Sequence, residues 1–81
     1  MELQLIKGHF GAQDAVEIIT RMIDVKIKYH ESKITSESTM EDIKMCERRI
    51  KQLQKELFEV RRYIDKKEGK ISLNSTITIT D

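Results

Sequence analysis

The sequence predicts an α+β chain, mostly helical, in which an antiparallel two-helix, coiled-coil-like hairpin carries short N- and C-terminal strands paired as a ribbon, in the order β-α-α-β. Three observations predict it. Apolar residues recur at three- and four-residue steps through both middle segments, β-branched and leucine residues alternate with polar ones in the C-terminal segment, and no proline interrupts either helix. At 81 residues the chain is read as one domain, residues 1–81.

The first strand is expected at about residues 2–8, with Leu3 and Leu5 on one side and Glu2 and Gln4 on the other. Gly8-His9-Phe10-Gly11 breaks that alternation. A helix follows at about residues 12–33, with Gly11 as N-cap and Asp14 facing the free amides and positive dipole end of the first turn. Phe10 is placed to pack on Ala15 as a hydrophobic staple. Two neighbouring apolar stripes run down this helix: Ala15, Ile18, Met22, Val25 and Tyr29, and beside them Val16, Ile19, Ile23, Ile27, His30 and Ile34.

Residues 35–39, Thr-Ser-Glu-Ser-Thr, form the connection, and Ser38 with Glu41 has the spacing of a capping box. The second helix, at about residues 39–68, carries the clearest pattern in the chain. Ile43, Cys46, Ile50, Leu53, Leu57, Val60 and Ile64 are spaced 3, 4, 3, 4, 3, 4, which is the seam a coiled coil requires. Lys66 and Lys67 suit the negative dipole end, and Gly69 is the expected stop. The second strand is expected at about residues 71–80. Ile71, Leu73, Ile77 and Ile79 share one face, and Asn74-Ser75 is the expected place for a bulge. The short polar connection makes the helices antiparallel neighbours, so the two strands meet antiparallel with both termini at one end.

Composition bounds the function more than it names it. Charged residues make up 36% of the chain but the net charge is only +1, which gives no global pull toward nucleic acid or membrane. No apolar run approaches the roughly 18 residues of a membrane span, and the N-terminus lacks the pattern of a signal peptide. With one cysteine and therefore no intrachain disulfide, a cytoplasmic location is expected. Asn74-Ser75-Thr76 matches the glycosylation pattern, which without export has no consequence.

No catalytic, metal or cofactor site is expected, and the chain is not read as an enzyme. His9, His30 and Cys46 lack metal-ligand spacing. His30-Glu31 has no second histidine at the fourth position beyond, so His30 reads as a packing residue on its stripe. Cys46 occupies the seam and reads as a small hydrophobe. Gly8 and Gly11 flank a strand-to-helix junction but lack the glycine count and Lys-Ser/Thr ending of a phosphate loop.

Self-association is the reading the residues favour. One seam uses only one of the two stripes on the first helix, and Met45 and Phe58 lie off the seam of the second. Ile19, Ile23, Ile27, Met45 and Phe58 are therefore the expected contacts of a homo-oligomer, with a dimer favoured. The expected function is a small self-associating helical-hairpin module for interaction or structure, with an unidentified protein as a further partner.

The alternative is an accessory role on nucleic acid. Lys44, Arg48, Lys51, Lys55, Arg62 and Lys66 are spaced 4, 3, 4, 7, 4 opposite the seam and could follow a phosphate backbone. Glu41, Glu59 and Asp65 lie on or beside that face, and the sequence interleaves no aromatic with the cations for base stacking. In outline, a helical hairpin with strands at its base resembles prefoldin-like chaperones. The element order departs from theirs, since prefoldins carry their strands between the helices, and no motif is shared.

Overall fold

A computed structural model describes all 81 residues and places four elements in the order read from sequence. These are β1 (Glu2–Phe10), α1 (Ala12–Ser32), α2 (Met40–Asp65) and β2 (Ile71–Thr78). The helices form an antiparallel pair and the strands an antiparallel two-stranded ribbon.

α1 starts where Gly11 leaves extended geometry, its carbonyl accepting the Ala15 amide at 2.9 Å. It ends on a tighter turn, with the Lys33 amide on the His30 carbonyl at 3.1 Å. The connection is closed by its own hydroxyls. Ser38 Oγ accepts the Thr35 amide at 2.8 Å, and the Ser38 amide donates to the Thr35 carbonyl at 3.1 Å.

That use of Ser38 corrects the expected capping box. The box is Thr39 with Asp42: the Asp42 amide donates to Thr39 Oγ1 at 3.1 Å and the Thr39 amide to Asp42 Oδ2 at 3.4 Å. Both registers offer a hydroxyl three residues before an acid, and the turn closed by Ser38 leaves Thr39 at the helix boundary. Thr39→Ala should therefore lower stability by about 1 kcal/mol, the ordinary cost of a lost N-cap. Ser38→Ala should leave the α2 cap intact, and thermal melts of the two variants check the assignment.

α2 also ends three residues earlier than expected, at Asp65 with Lys66 as C-cap. Beyond Ile64 the next five residues are Asp-Lys-Lys-Glu-Gly, so no apolar side chain holds a further turn against α1. Gly69 follows at φ 80°, in the left-handed region, and turns the chain into β2. Of the seam, Leu53 and Ile64 are buried and Ile43, Cys46, Ile50, Leu57 and Val60 are half-buried against α1. Polar interlocking is slight. The single side-chain hydrogen bond between the helices is a long one, 3.5 Å from Arg61 Nη2 to Thr20 Oγ1.

In the ribbon, β1 runs two residues beyond its expected end. Gly8 pairs with Leu73, His9 with Ser72 and Phe10 with Ile71. The Phe10 ring lies over Gly8, 3.6 Å from where a Cβ would sit, and so covers the gap glycine leaves on that face. β2 is two residues shorter than expected, ending at Thr78. Pairing still reaches Ile79, whose amide donates to the Met1 carbonyl at 2.7 Å while the Met1 amine donates to the Ile79 carbonyl at 3.0 Å.

The irregularity falls in β1, not at Asn74-Ser75. Gln4 pairs with Thr76 and Ile6 with Ser75, so Leu5 is the extra residue. The sequence of β1 demands such a shift. Leu3 is odd-numbered whereas Ile6 and Phe10 are even, and only an inserted residue brings all three to one face. Opposite them on that face stand Ile77, Ser75 and Ile71.

The ribbon folds back along α1 and makes most of its helix contacts there. Ribbon, α1 and α2 therefore lie side by side. The principal extents are 48 × 32 × 13 Å, so the molecule is flat. One layer cannot enclose a core, and only Ala15, Leu53 and Ile64 are buried. The accessible surface is 6865 Å², where a compact monomer of this mass exposes about 5,000 Å².

Candidate self-association surface

Two elements that fail to close on each other create the main surface feature. The apolar face of the ribbon looks toward α1 across an open groove of about 380 Å³. Ile6 and Leu73 line it from the ribbon, and Ile19, Met22 and Ile23 from α1, with Lys26, Asn74 and Ser75 completing the walls. Ile19 and Ile23 from one stripe of α1 and Met22 from the other thus form one wall of a groove whose other wall is the ribbon.

The five expected contact residues do not form a single surface. Ile19 and Ile23 lie in the groove, and Ile27, one turn further along α1, is half-buried. Lys26 is shared between this groove and a shallow depression over the hairpin lined by His30, Arg49, Gln52, Leu53 and Glu56, which fixes the flank of α2 on the groove side. Met45, seven residues before Gln52, falls on that flank and is 59% exposed. Phe58 is thirteen residues after Met45, roughly 140° around the helix, and lies on the opposite flank, 60% exposed. One flat partner surface cannot cover both.

All six residues of the basic stripe, Lys44, Arg48, Lys51, Lys55, Arg62 and Lys66, are exposed, and none forms a salt bridge. The two salt bridges present both lie on α1, Arg21 with Glu17 and Lys28 with Asp24. Aromatics stand closer to the stripe than its linear spacing suggested. The Arg62 guanidinium lies 5.7 Å from the Phe58 ring centroid, and Tyr63 sits beside Glu59, Arg62 and Lys66 with Lys67 Nζ 4.4 Å from its ring. Tyr29 and Lys33 repeat the arrangement on α1 at 5.0 Å. Each is an aromatic followed four residues later by a cation, a spacing that places both on one helix face. That signal was present in the sequence.

Residues with catalytic or ligating chemistry stay apart. His9 lies on the ribbon, opposite Ser72. His30 is half-buried with its ring edge-on to Tyr29, centroids 5.6 Å apart. Cys46 is a half-buried free thiol in the seam. No three histidine, cysteine or acidic side chains converge where a metal ion could be held. No helix is long and apolar enough to cross a membrane. No family model matches the chain, and neither a curated protein nor a solved structure matches it.

Proposed function

We propose that the chain is a non-catalytic, self-associating module, a homodimer in which a second copy supplies the layer that one copy lacks. The observation that carries this reading is the surface. Each chain exposes about 1,800 Å² more than a compact monomer of its mass. Two copies each hiding that area would form an interface inside the range of obligate homodimers, about 2,000–5,000 Å² in total. The groove supplies the apolar patch, and its rim of Lys26, Asn74 and Ser75 supplies polar groups around it. The role that follows is architectural: a dimer scaffold whose long helices present side chains to a further protein.

Light scattering on the purified chain tests the reading, with a mass of twice 9.5 kDa as the expected result. Two variants then locate the contact. Ile19→Glu should weaken the dimer by roughly 30-fold or more, as loss of a central apolar anchor does. Phe58→Ala, on the other flank, should change it by less than about threefold. The reverse order would put the interface on the Phe58 side of α2.

A second reading, an accessory role on nucleic acid, rests on the six unpaired cations and the adjoining Phe58 and Tyr63 rings. It requires tight binding of generic DNA or RNA at low salt. That binding should fall about 10³-fold or more between 50 and 200 mM salt if all six cations meet phosphates. Weak, salt-insensitive binding removes it.

A further inference from the structure

The two free edges of the ribbon are not alike. β1 carries the devices that keep a strand edge from pairing: the bulge at Leu5, and the charges of Glu2 and Lys7. β2 carries none of them. From Ile71 to Thr80 there is no charge, no glycine and no proline, and the strand is regular throughout. The second edge of β2 has no strand neighbour, and most helix contacts of the ribbon are with α1. An uncharged, unbulged, alternating strand with an open row of amides and carbonyls is a template for another strand.

We infer that the free edge of β2 pairs antiparallel with β2 of a second copy about a two-fold axis through Ser75, giving a four-stranded sheet in the order β1-β2-β2-β1. The inference rests on the self-association reading and names its contact. Hydrogen-bonding parity supports the pairing. Ile79 and Met1 exchange both of their backbone bonds, so the odd-numbered residues of β2 point their backbone groups at β1. The even-numbered ones, Ser72, Asn74, Thr76 and Thr78, therefore point theirs at the free edge.

Register follows from the side chains. With Ser75 on the axis, Ile71 of one copy lies opposite Ile79 of the other, and Leu73 lies opposite Ile77. Every apolar residue on that face of β2 is then paired with another apolar residue. On the other face Ser72 meets Thr78 and Asn74 meets Thr76, and these four outward residues exchange about eight backbone hydrogen bonds across the axis.

The axis stands perpendicular to the sheet, so both α1 helices come to lie on the same side of it. The grooves holding Ile19 and Ile23 then become adjoining parts of one sheet-on-helix interface, the second layer that a single chain lacks. Assembly stops at two copies because the outer edges of the four-stranded sheet are both β1, with its bulge and charges.

Disulfide trapping in the full chain with Cys46→Ala tests the axis. Ser75 would form a non-hydrogen-bonded pair with its own copy, about 4.5 Å between Cα atoms, within the span a disulfide bridges. Ser75→Cys should oxidise to a covalent dimer. Ser72→Cys, about 20 Å from its copy in this register, should remain a single chain. Equal trapping of both, or of neither, in a chain that light scattering shows to be a dimer overturns the edge pairing and leaves self-association standing; a monomeric chain overturns both.

If the cysteine variant loses its helical circular dichroism, charge pairs read the same register. Asn74→Lys with Thr76→Lys places like charges opposite each other twice across the axis and should weaken the dimer about tenfold. Asn74→Glu with Thr76→Lys places opposite charges there and should restore it. Equal affinities for the two double variants overturn the register.

Discussion

Leu53→Asp should leave the chain without a cooperative helical transition. Leu53 is one of three buried residues and stands at the middle of the α2 seam. Removing its side chain costs about 2–5 kcal/mol in transfer and cavity terms. Desolvating a carboxylate against α1 adds to that. A chain of this size holds only about 3–5 kcal/mol from its own core. Loss therefore exceeds supply, and far-ultraviolet circular dichroism should show a largely unfolded chain at 25 °C. Gln54→Asp, one residue on and exposed, should keep the wild-type spectrum and melt. If both variants melt like the wild type, the seam does not hold the hairpin.

The reason Leu53 can be named so firmly is that the seam was legible from the sequence alone. Seven residues at strict three- and four-residue steps admit one helix face, and all seven are buried or half-buried. The fold class was legible for the same reason, since alternation in β2 and the short connection leave one way for the strands to meet. Ends and offsets were not. The capping box moved from Ser38 to Thr39 because two hydroxyl-acid pairs of identical spacing lie one residue apart, and the Ser38 hydroxyl is used in closing the loop. The bulge falls in β1 because the polar pair Asn74-Ser75, though it interrupts the apolar run of β2, keeps that strand's alternation in step. The parity switch between Leu3 and Ile6 in β1 was the stronger signal.

The groove was not legible at all. It depends on where the ribbon lies relative to α1, and no local periodicity encodes that distance. Ile19 and Ile23 stand out as surplus on their stripe, but their neighbours across the groove, Ile6 and Leu73, belong to the two ends of the chain, 67 residues apart in sequence. Hydrophobicity alone groups Phe58 and Met45 with them. Helical geometry separates those two by well over a quarter turn, so an apolar residue off the seam is no guide to which flank it serves.

Dilution supplies the second large effect. If folding and pairing are one event, stability depends on protein concentration, because two unfolded chains compete with one folded dimer. Each tenfold change in concentration is worth about 1.4 kcal/mol per dimer. Spread over two chains unfolding together, that shifts the melting midpoint by about 3–6 °C. From 100 to 1 µM the midpoint should fall by roughly twice that amount. Helicity and mass should be lost together, since a chain with three buried residues has little to hold it folded alone. A midpoint that stays constant over that range would mean that the thin single layer is itself the stable unit. The excess surface of each chain would then have to be explained by its own packing rather than by a second copy.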